Sequence, residues 1–182
     1  MIEFDKNAVA TKLLWVDLEM TGLDVAKDLI VEVAVEVTDF DFKTLASYEA
    51  IVTLTEEQLG AMNEWSKEHH AQSGLIEKIR SIGRPENEVI HELVGFIKAQ
   101  FGDEPAILAG NSIHNDRNFI KQWWPEVDAL LHYRMLDVTA WKIIMQAKYG
   151  VTFEKKEVHR AFDDIQASIA ELQSYLTYFK KL

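Results

Sequence analysis

The sequence predicts an α/β domain in which one mixed sheet is flanked by helices. Three strand-like runs follow one another near the N-terminus, which favours an antiparallel meander. Helical patterns then dominate, interrupted by two short apolar runs, 106–110 and 135–138, that have the length of buried strands. This order of strands and helices is typical of a sheet with helices on both faces.

The three N-terminal strands are predicted at 12–19, 29–38 and 47–54. The second alternates apolar residues with Glu or Thr in part, which indicates a strand with one wetter face. Sites in α/β sheets gather at strand ends; Asp17 and Glu19 lie near the end of the first strand, and Asp116 follows the short run 106–110.

Helices are predicted from their caps and their apolar periodicity. Thr55 and Gln58 form a capping-box pattern at the start of the first helix, and Pro85 fits the first turn of a longer one. That longer helix places Val89, Leu93 and Ile97 on one face. The predicted helices cover 56–71, 73–81, 85–101, 115–124, 125–133, 139–150 and about 161–180.

The 182 residues suggest a single domain over 1–182, of which about 1–11 form an N-terminal extension. Apolar residues make up 48% of the chain, which is enough for a full core. There is no cysteine, so disulfides and thiolate metal sites are excluded. The sequence contains no apolar run of membrane-spanning length and no secretory or transit pattern, so a cytoplasmic enzyme is expected.

The net charge of −11 comes from 19 basic and 30 acidic residues. Proteins that follow long nucleic acids neutralise many phosphates with Lys and Arg, so this balance disfavours long polyanions. A short substrate with one or two phosphates is compatible with it, and simple solubility is the other explanation.

Four acids and one histidine, in three separated places, have the composition of a two-metal phosphodiesterase: Asp17, Glu19, Asp116, His159 and Asp164. Asp17 and Glu19 lie two apart on a predicted strand, so their side chains point the same way and repel. A bound divalent cation would relieve that repulsion, whereas a solvated strand edge is the alternative. The apolar residues around the pair favour the metal site.

Asp116 and Asp164 each have a simpler interpretation, because acids at helix starts often cap the helix or face its dipole. Asp163 shares that interpretation. His159 lies five residues before Asp164, where a neutral imidazole would suit a general base. A structural histidine is the alternative.

Two other functions stay open on this evidence. Asp17, Glu19 and Thr21 have the spacing of the DxDxT nucleophile motif of haloacid-dehalogenase-type phosphatases. Against that function, the second acid is Glu, the paired acids at 163–164 open a helix, and His159 would have no role. A non-enzymatic interaction module would make four well-placed acids a coincidence.

Four longer strings carry a resemblance to a known family: WVDLEMTGLD, GNSIHND, HYRMLDV and HRAFDDIQAS. Together they resemble the oligoribonuclease family, in the DEDDh group of 3′-to-5′ exonucleases, over about 13–182. The resemblance implies a ribonuclease H-like fold. It also implies a homodimer that degrades very short RNA, chiefly dinucleotides, to 5′-mononucleotides by two-metal-ion hydrolysis. A DEDDh exonuclease that acts on longer RNA or DNA ends is the alternative.

The resemblance also implies a role for each site residue. His159 would be the general base, and two Mg²⁺ or Mn²⁺ ions would be held by Asp17, Glu19, Asp116 and Asp164. Leu23 would form a wedge between two bases and Trp65 would stack on the 3′ base. The 3′ sugar would contact the backbone at Met20 and Thr21.

A second group of residues would cap the 5′ phosphate of a dinucleotide. By the same resemblance, this cap consists of Ser112, His70, Thr139, Tyr133 and Arg134. Tyr133 and Arg134 would come from the second subunit of the homodimer. The chain departs from the family pattern at His114-Asn115 and at Val158, which lie outside the five catalytic positions.

Overall fold

A computed structural model describes residues 10–154 and 160–179, and within them it contains one five-stranded mixed sheet. The strands are β1 (Leu13–Met20), β2 (Ile30–Thr38), β3 (Thr44–Ile51), β4 (Ala106–Gly110) and β5 (Leu131–Asp137). The strand order is β3-β2-β1-β4-β5. The first three strands pair antiparallel, as the meander prediction requires, and β4 and β5 add in parallel. The predicted fold class is therefore confirmed.

Eight helices flank the sheet in the part of the chain that the structure describes. They are α1 (Glu56–Gly60), α2 (Glu64–Gln72), α3 (Leu75–Ile82), α4 (Glu86–Phe101), α5 (His114–Trp123), α6 (Pro125–Asp128), α7 (Val138–Tyr149) and α8 (Ala161–Phe179). Among the described residues, no helix is both long enough and apolar enough to cross a membrane.

The core lies on both faces of the sheet, because alternate residues of the central strand β1 point to opposite sides. On one face, Leu14 and Val16 belong to the cluster that includes Leu93 of α4 and Phe119 of α5. On the other face, Leu13 and Trp15 pack with residues of α7 and α8, among them Met145, Ile165, Ile169 and Tyr175. Burial on both faces explains why β1 reads as an apolar run up to Asp17.

The prediction that β2 has one solvent-exposed face is wrong. Glu32 and Glu36 are 3% and 1% exposed, because α8 covers this face of the sheet. Their carboxylates accept hydrogen bonds from the side chains of Arg160 and Gln166, which lie beside and on α8. Buried carboxylates are tolerated where such donors pair with them.

Two helix predictions also need correction. The predicted helix 56–71 divides into α1 and α2, because Asn63 caps the second helix by accepting a hydrogen bond from Ser66 N at 2.8 Å. The capping box of Thr55 and Gln58 is present as predicted.

The second correction concerns 125–133. Here α6 ends at Asp128, and the chain pairs with β4 from Leu131 onward. Strand pairing satisfies the backbone of this segment, so His132 and Tyr133, which fall within the predicted helix, lie in β5 together with Arg134.

Candidate active site

Three acidic side chains meet where the end of β1 lies beside the start of α8. One oxygen each of Asp17, Glu19 and Asp164 lies within 4.8 Å of the others, and all three residues are half-buried. The period of the strand puts Asp17 and Glu19 on one side, and α8 packs on that side with Asp164 in its first turn. Asp163, also in this turn, is exposed.

Asp116 approaches the same strand from α5. It is 8% exposed, and its Oδ1 accepts a hydrogen bond from Leu18 N, between Asp17 and Glu19, at 3.1 Å. It is not in the 4.8 Å group, but its charge adds to the repulsion felt by Glu19. Burial raises the pKa of Asp116 to about 7, although its backbone hydrogen bonds oppose that shift.

The site disfavours a full set of ionised carboxylates when no cation is bound. Burial, together with the negative charges of Glu32 and Asp164, raises the pKa of Glu19 to about 8, while Arg160 opposes the shift. Several oxygen ligands that repel one another fit a hard divalent cation, whose charge offsets the repulsion. Asp17, Glu19 and Asp164, with Asp116 beside them, can therefore hold a divalent metal.

A buried ion pair supports this cluster. Arg160 precedes α8, and its Nη2 lies 2.6 Å from Glu32 Oε1, with a second contact from Nε at 3.4 Å. Glu32 is paired with Glu19 in the register of β2 against β1. The pair therefore fixes the start of α8 next to the strand that carries two of the acids.

Beyond the end of β1, two large apolar side chains face solvent. Leu23 is 79% exposed and Trp65 is 60% exposed, and the Trp65 ring stacks on that of His69 with centroids 3.8 Å apart. The start of α2 is tied to the end of β1, because Asn63 donates from its backbone and its side chain to the carbonyl of Thr21.

Gly22 has no space for a side chain at this junction. A Cβ at this position would lie 2.4 Å from Asp28 Oδ2 and 2.7 Å from Asn63 Nδ2. Asp28 is itself bonded to Thr21 Oγ1 at 3.0 Å, so the turn that carries Leu23 is held tightly against α2.

His70 lies at the Glu19 end of the site. Its Nε2 is 2.8 Å from the carbonyl oxygen of Met20, and its Nδ1 is 3.9 Å from Glu19 Oε2. Burial lowers the pKa of His70, which keeps the ring neutral near pH 7. The neutral ring then donates from Nε2 to Met20 and presents the lone pair of Nδ1 toward the acids.

Ser112 and Thr139 lie together at the ends of β4 and β5. The backbone N–H of Ser112 donates to Thr139 Oγ1 at 2.9 Å and to Asp137 Oδ1 at 3.0 Å, and the two hydroxyl oxygens are 3.1 Å apart. Ser112 adopts a φ of 49°, a left-handed conformation that these contacts hold. Tyr133 and Arg134 lie on β5, both exposed, with the guanidinium 5.2 Å from the ring centroid.

Known proteins are similar in sequence to this chain over most of its length. An exonuclease family, RNase_T, matches residues 14–172. Oligoribonuclease from Francisella tularensis subsp. novicida (strain U112) is 40% identical over 168 residues, which cover 91% of this chain and 94% of that protein. Mitochondrial oligoribonuclease from Homo sapiens is 39% identical over 181 residues, which cover 96% and 76% respectively.

The chain belongs to the oligoribonuclease family. The sequence motifs around Asp17, Asp116 and Asp164 predict this membership, which places the chain among the DEDDh exonucleases. A haloacid-dehalogenase-type phosphatase and a non-enzymatic module are both disfavoured, since the relatives are oligoribonucleases.

Solved structures confirm the ribonuclease H-like fold expected for the oligoribonuclease family. Exonuclease I of E. coli in complex with a dT13 oligonucleotide has a TM-score of 0.64 at 14% identity. The match covers 92% of this chain and 41% of that one, so the chain spans less than half of exonuclease I. A zinc-bound form of the same enzyme with single-stranded DNA gives a TM-score of 0.60 at 15% identity. At these identities the likeness extends to the fold alone.

Sequence reasoning missed two features of this oligoribonuclease site. The Arg160–Glu32 pair joins residues 128 apart, and its only signal in the sequence is that two Glu residues interrupt a largely apolar strand. The contact of His70 with Met20 depends on how α2 packs, for which the sequence has no signal. His159, the predicted general base, lies outside the described residues.

Proposed function

We propose that this oligoribonuclease hydrolyses very short RNAs, chiefly dinucleotides, to 5′-mononucleotides, with two Mg²⁺ or Mn²⁺ ions bound. Relatives about 40% identical support 3′-to-5′ exoribonuclease activity on short oligoribonucleotides. The observation that carries the proposal is the meeting of Asp17, Glu19 and Asp164 in a half-buried group that fits a divalent cation. Asp116, buried against β1, completes the proposed ligand set.

In this proposal the acids bind the metals and His159 handles the proton. Two divalent ions, when bound, supply Lewis acidity for the attack of water on phosphorus and for departure of the 3′ oxygen. His159 takes a proton from the attacking water, which forms a new P–O bond as the bond to the 3′ oxygen breaks. The departing 3′ oxygen takes up a proton from solvent, so the products are a 5′-mononucleotide and a shortened RNA with a free 3′ hydroxyl.

The exposed apolar side chains of Leu23 and Trp65 are better suited to contact with nucleic-acid bases than to contact with solvent. We propose that Leu23 separates the two bases and that Trp65 stacks on the 3′ base, which is worth roughly 1–3 kcal/mol and tolerates any base. Their exposure, 79% and 60%, leaves both side chains accessible to a ligand. The tight turn at Gly22 supports a fixed position for Leu23 and for the 3′ sugar at Met20 and Thr21.

The 5′ phosphate is proposed to bind Ser112, Thr139 and His70, with Tyr133 and Arg134 from a second subunit. A guanidinium fork suits a phosphate. Tyr133 and Arg134 are exposed on β5, which ends the strand order of the described sheet, so another chain can reach them. A substrate with so few phosphates also agrees with a net charge of −11, which disfavours long polyanions.

Direction and metal dependence can be tested together. A 5′-labelled trinucleotide should shorten one nucleotide at a time from its 3′ end with Mg²⁺, and it should stay intact with EDTA. The same RNA with a 3′-terminal phosphate should be cleaved far more slowly, because the 3′ end no longer fits. Cleavage in EDTA, or release of the labelled 5′ nucleotide first, would overturn the proposal.

The role of His159 predicts a pH dependence. An imidazole base works only when neutral, so kcat should fall as the pH drops below about 6.5. In His159→Ala the rate should be low and this limb of the profile should be absent. A profile of unchanged shape in the variant would remove His159 from the mechanism.

The cytoplasm remains the proposed compartment. It rests on the sequence, and one relative is a mitochondrial oligoribonuclease. Fractionation of cells that express the full chain, followed by an activity assay, tests it.

A further inference from the structure

A buried polar chain connects α8 to the proposed 5′-phosphate cap, and Asn111 stands at its centre. Asn111 follows β4 directly and precedes Ser112. Its Nδ2 lies 2.9 Å from Ser168 Oγ and 3.1 Å from Glu171 Oε2, both on α8. On the other side, its Oδ1 lies 3.4 Å from Thr139 Oγ1. Ser168 and Glu171 are 3% and 1% exposed.

The orientation of the Asn111 amide is determined by two independent partners. Ser168 donates its only hydroxyl proton to the carbonyl oxygen of Asp164 at 2.9 Å, so toward Asn111 it can only accept. The carboxylate of Glu171 also accepts, and its other oxygen takes the hydroxyl proton of Tyr175 at 2.7 Å. Both contacts require the NH₂ group of Asn111, so its carbonyl oxygen must face Thr139.

That orientation decides the direction of the hydrogen bond between the Ser112 and Thr139 hydroxyls. Thr139 has one hydroxyl proton, and Asn111 Oδ1 accepts it. Because that proton is given to Asn111, the contact of 3.1 Å between the two hydroxyls runs from Ser112 Oγ–H to Thr139 Oγ1, which also accepts from Ser112 N. The oxygen that Asn111 orients therefore accepts from both donors of Ser112, and these two hydrogen bonds hold Ser112 in its left-handed conformation at the proposed cap.

We propose that Asn111 is a positioning residue: through Thr139 it fixes Ser112 at the place where the 5′ phosphate of a short RNA would bind. The inference rests on the proposed function and adds a residue that does not itself contact the phosphate. The same amide also holds α8 one turn beyond Asp164, through Ser168. Asn111 therefore connects the metal end of the site to its phosphate end.

The test compares two dinucleotides that differ only in a 5′ phosphate, pNpN and NpN. In the wild type, kcat/KM should be higher for pNpN. Asn111→Ala should lower kcat/KM about tenfold more for pNpN than for NpN, because a displaced Ser112 weakens one contact to the charged phosphate. Asn118→Ala, an exposed asparagine on α5, is the matched control and should preserve the wild-type ratio.

A second variant keeps the test decisive if Asn111→Ala does not fold. Asn111→Asp combined with Glu171→Gln exchanges the amide and the carboxylate, which preserves net charge and keeps an acceptor facing Thr139. This double variant should retain the preference for pNpN, and its loss would overturn the inference. Equal losses on both dinucleotides in Asn111→Ala would also overturn it, since they would mean a structural role alone. A wild type without any preference would instead contradict the proposed 5′-phosphate cap itself.

Discussion

At the scale of single residues, the contrast between Asp163 and Asp164 is the sharpest. They are neighbours in the first turn of α8, yet only Asp164 joins Asp17 and Glu19. Asp164→Asn should lower kcat on a dinucleotide at least about 100-fold, because a proposed metal ligand loses its charge. Asp163→Asn, the matched control, should stay within about threefold of wild type. Thermal unfolding of both variants checks that the fold is intact, and a reversed result would remove Asp164 from the ligand set.

The raised pKa values predict how the metal-free protein responds to pH. Burial raises the pKa of Glu19 to about 8 and that of Asp116 to about 7, from ordinary values of 4.5 and 3.8. Between about pH 5 and 7 the folded protein therefore binds more protons than the unfolded chain, and the free energy of unfolding falls as pH rises. The fall should reach at most about 1.4 kcal/mol per pH unit for each carboxyl, and for Glu19 it continues to about pH 8.

Unfolding temperatures measured in EDTA from pH 5 to 8 check this expectation. Glu19→Gln should weaken the pH dependence, because one of the two titrating groups is gone. Added Mg²⁺ or Mn²⁺ should raise the unfolding temperature most at pH 8, where the acids are ionised and bind the cation. An unfolding temperature that rises with pH in EDTA would contradict the assigned burial of these carboxyls.

Some of these residues could be identified from the sequence and others could not. Asp17 and Glu19 could, because the period of a strand is local information and two acids on one face are conspicuous in an apolar run. The asymmetry between Asp163 and Asp164 came from the spacing in the family motif and not from local chemistry. Asn111 shows no such signal, since its partners lie 57 and 60 residues away on α8.

At the scale of elements, the start of α8 depends on the pair between Arg160 and Glu32. The Glu32 side chain is only 4% exposed, so Arg160→Ala would leave a buried carboxylate without this partner. We expect a loss of about 3 kcal/mol in the free energy of unfolding. Combining Arg160→Met with Glu32→Leu should cost less than Arg160→Ala alone, because no charge is left buried. Denaturant unfolding measures the free energy of unfolding of both variants. A double variant that loses as much as Arg160→Ala, or more, would contradict the pairing.

Element boundaries show where sequence patterns stop being sufficient. The helix predicted over 56–71 is broken because Asn63 offers a local cap that competes with continuation of the helix. The segment at Leu131 has a helical composition, yet it forms β5 because β4 offers a strand to pair with. Both outcomes depend on contacts that a window of local sequence does not contain.

At the scale of the whole molecule, the proposed homodimer predicts complementation between two inactive variants. Asp17→Ala removes a metal ligand but keeps Arg134, and Arg134→Ala has intact ligands but lacks the guanidinium. If Arg134 acts across the interface, mixing and re-equilibrating the two should restore up to about one quarter of wild-type activity, from one complete site per mixed dimer. No recovery, with subunit exchange shown by mass, would place Arg134 in its own subunit's site or outside any site.

The proposed site is shaped for the shortest RNAs, and a length series tests this specificity most directly. Rates would be compared for 5′-labelled RNAs of two to seven nucleotides, with Mg²⁺ and with EDTA. We predict the highest kcat/KM for the dinucleotide, a steep fall with each added nucleotide, and no cleavage in EDTA. A flat length dependence, or a rate that rises with length, would contradict a site that is specific for dinucleotides.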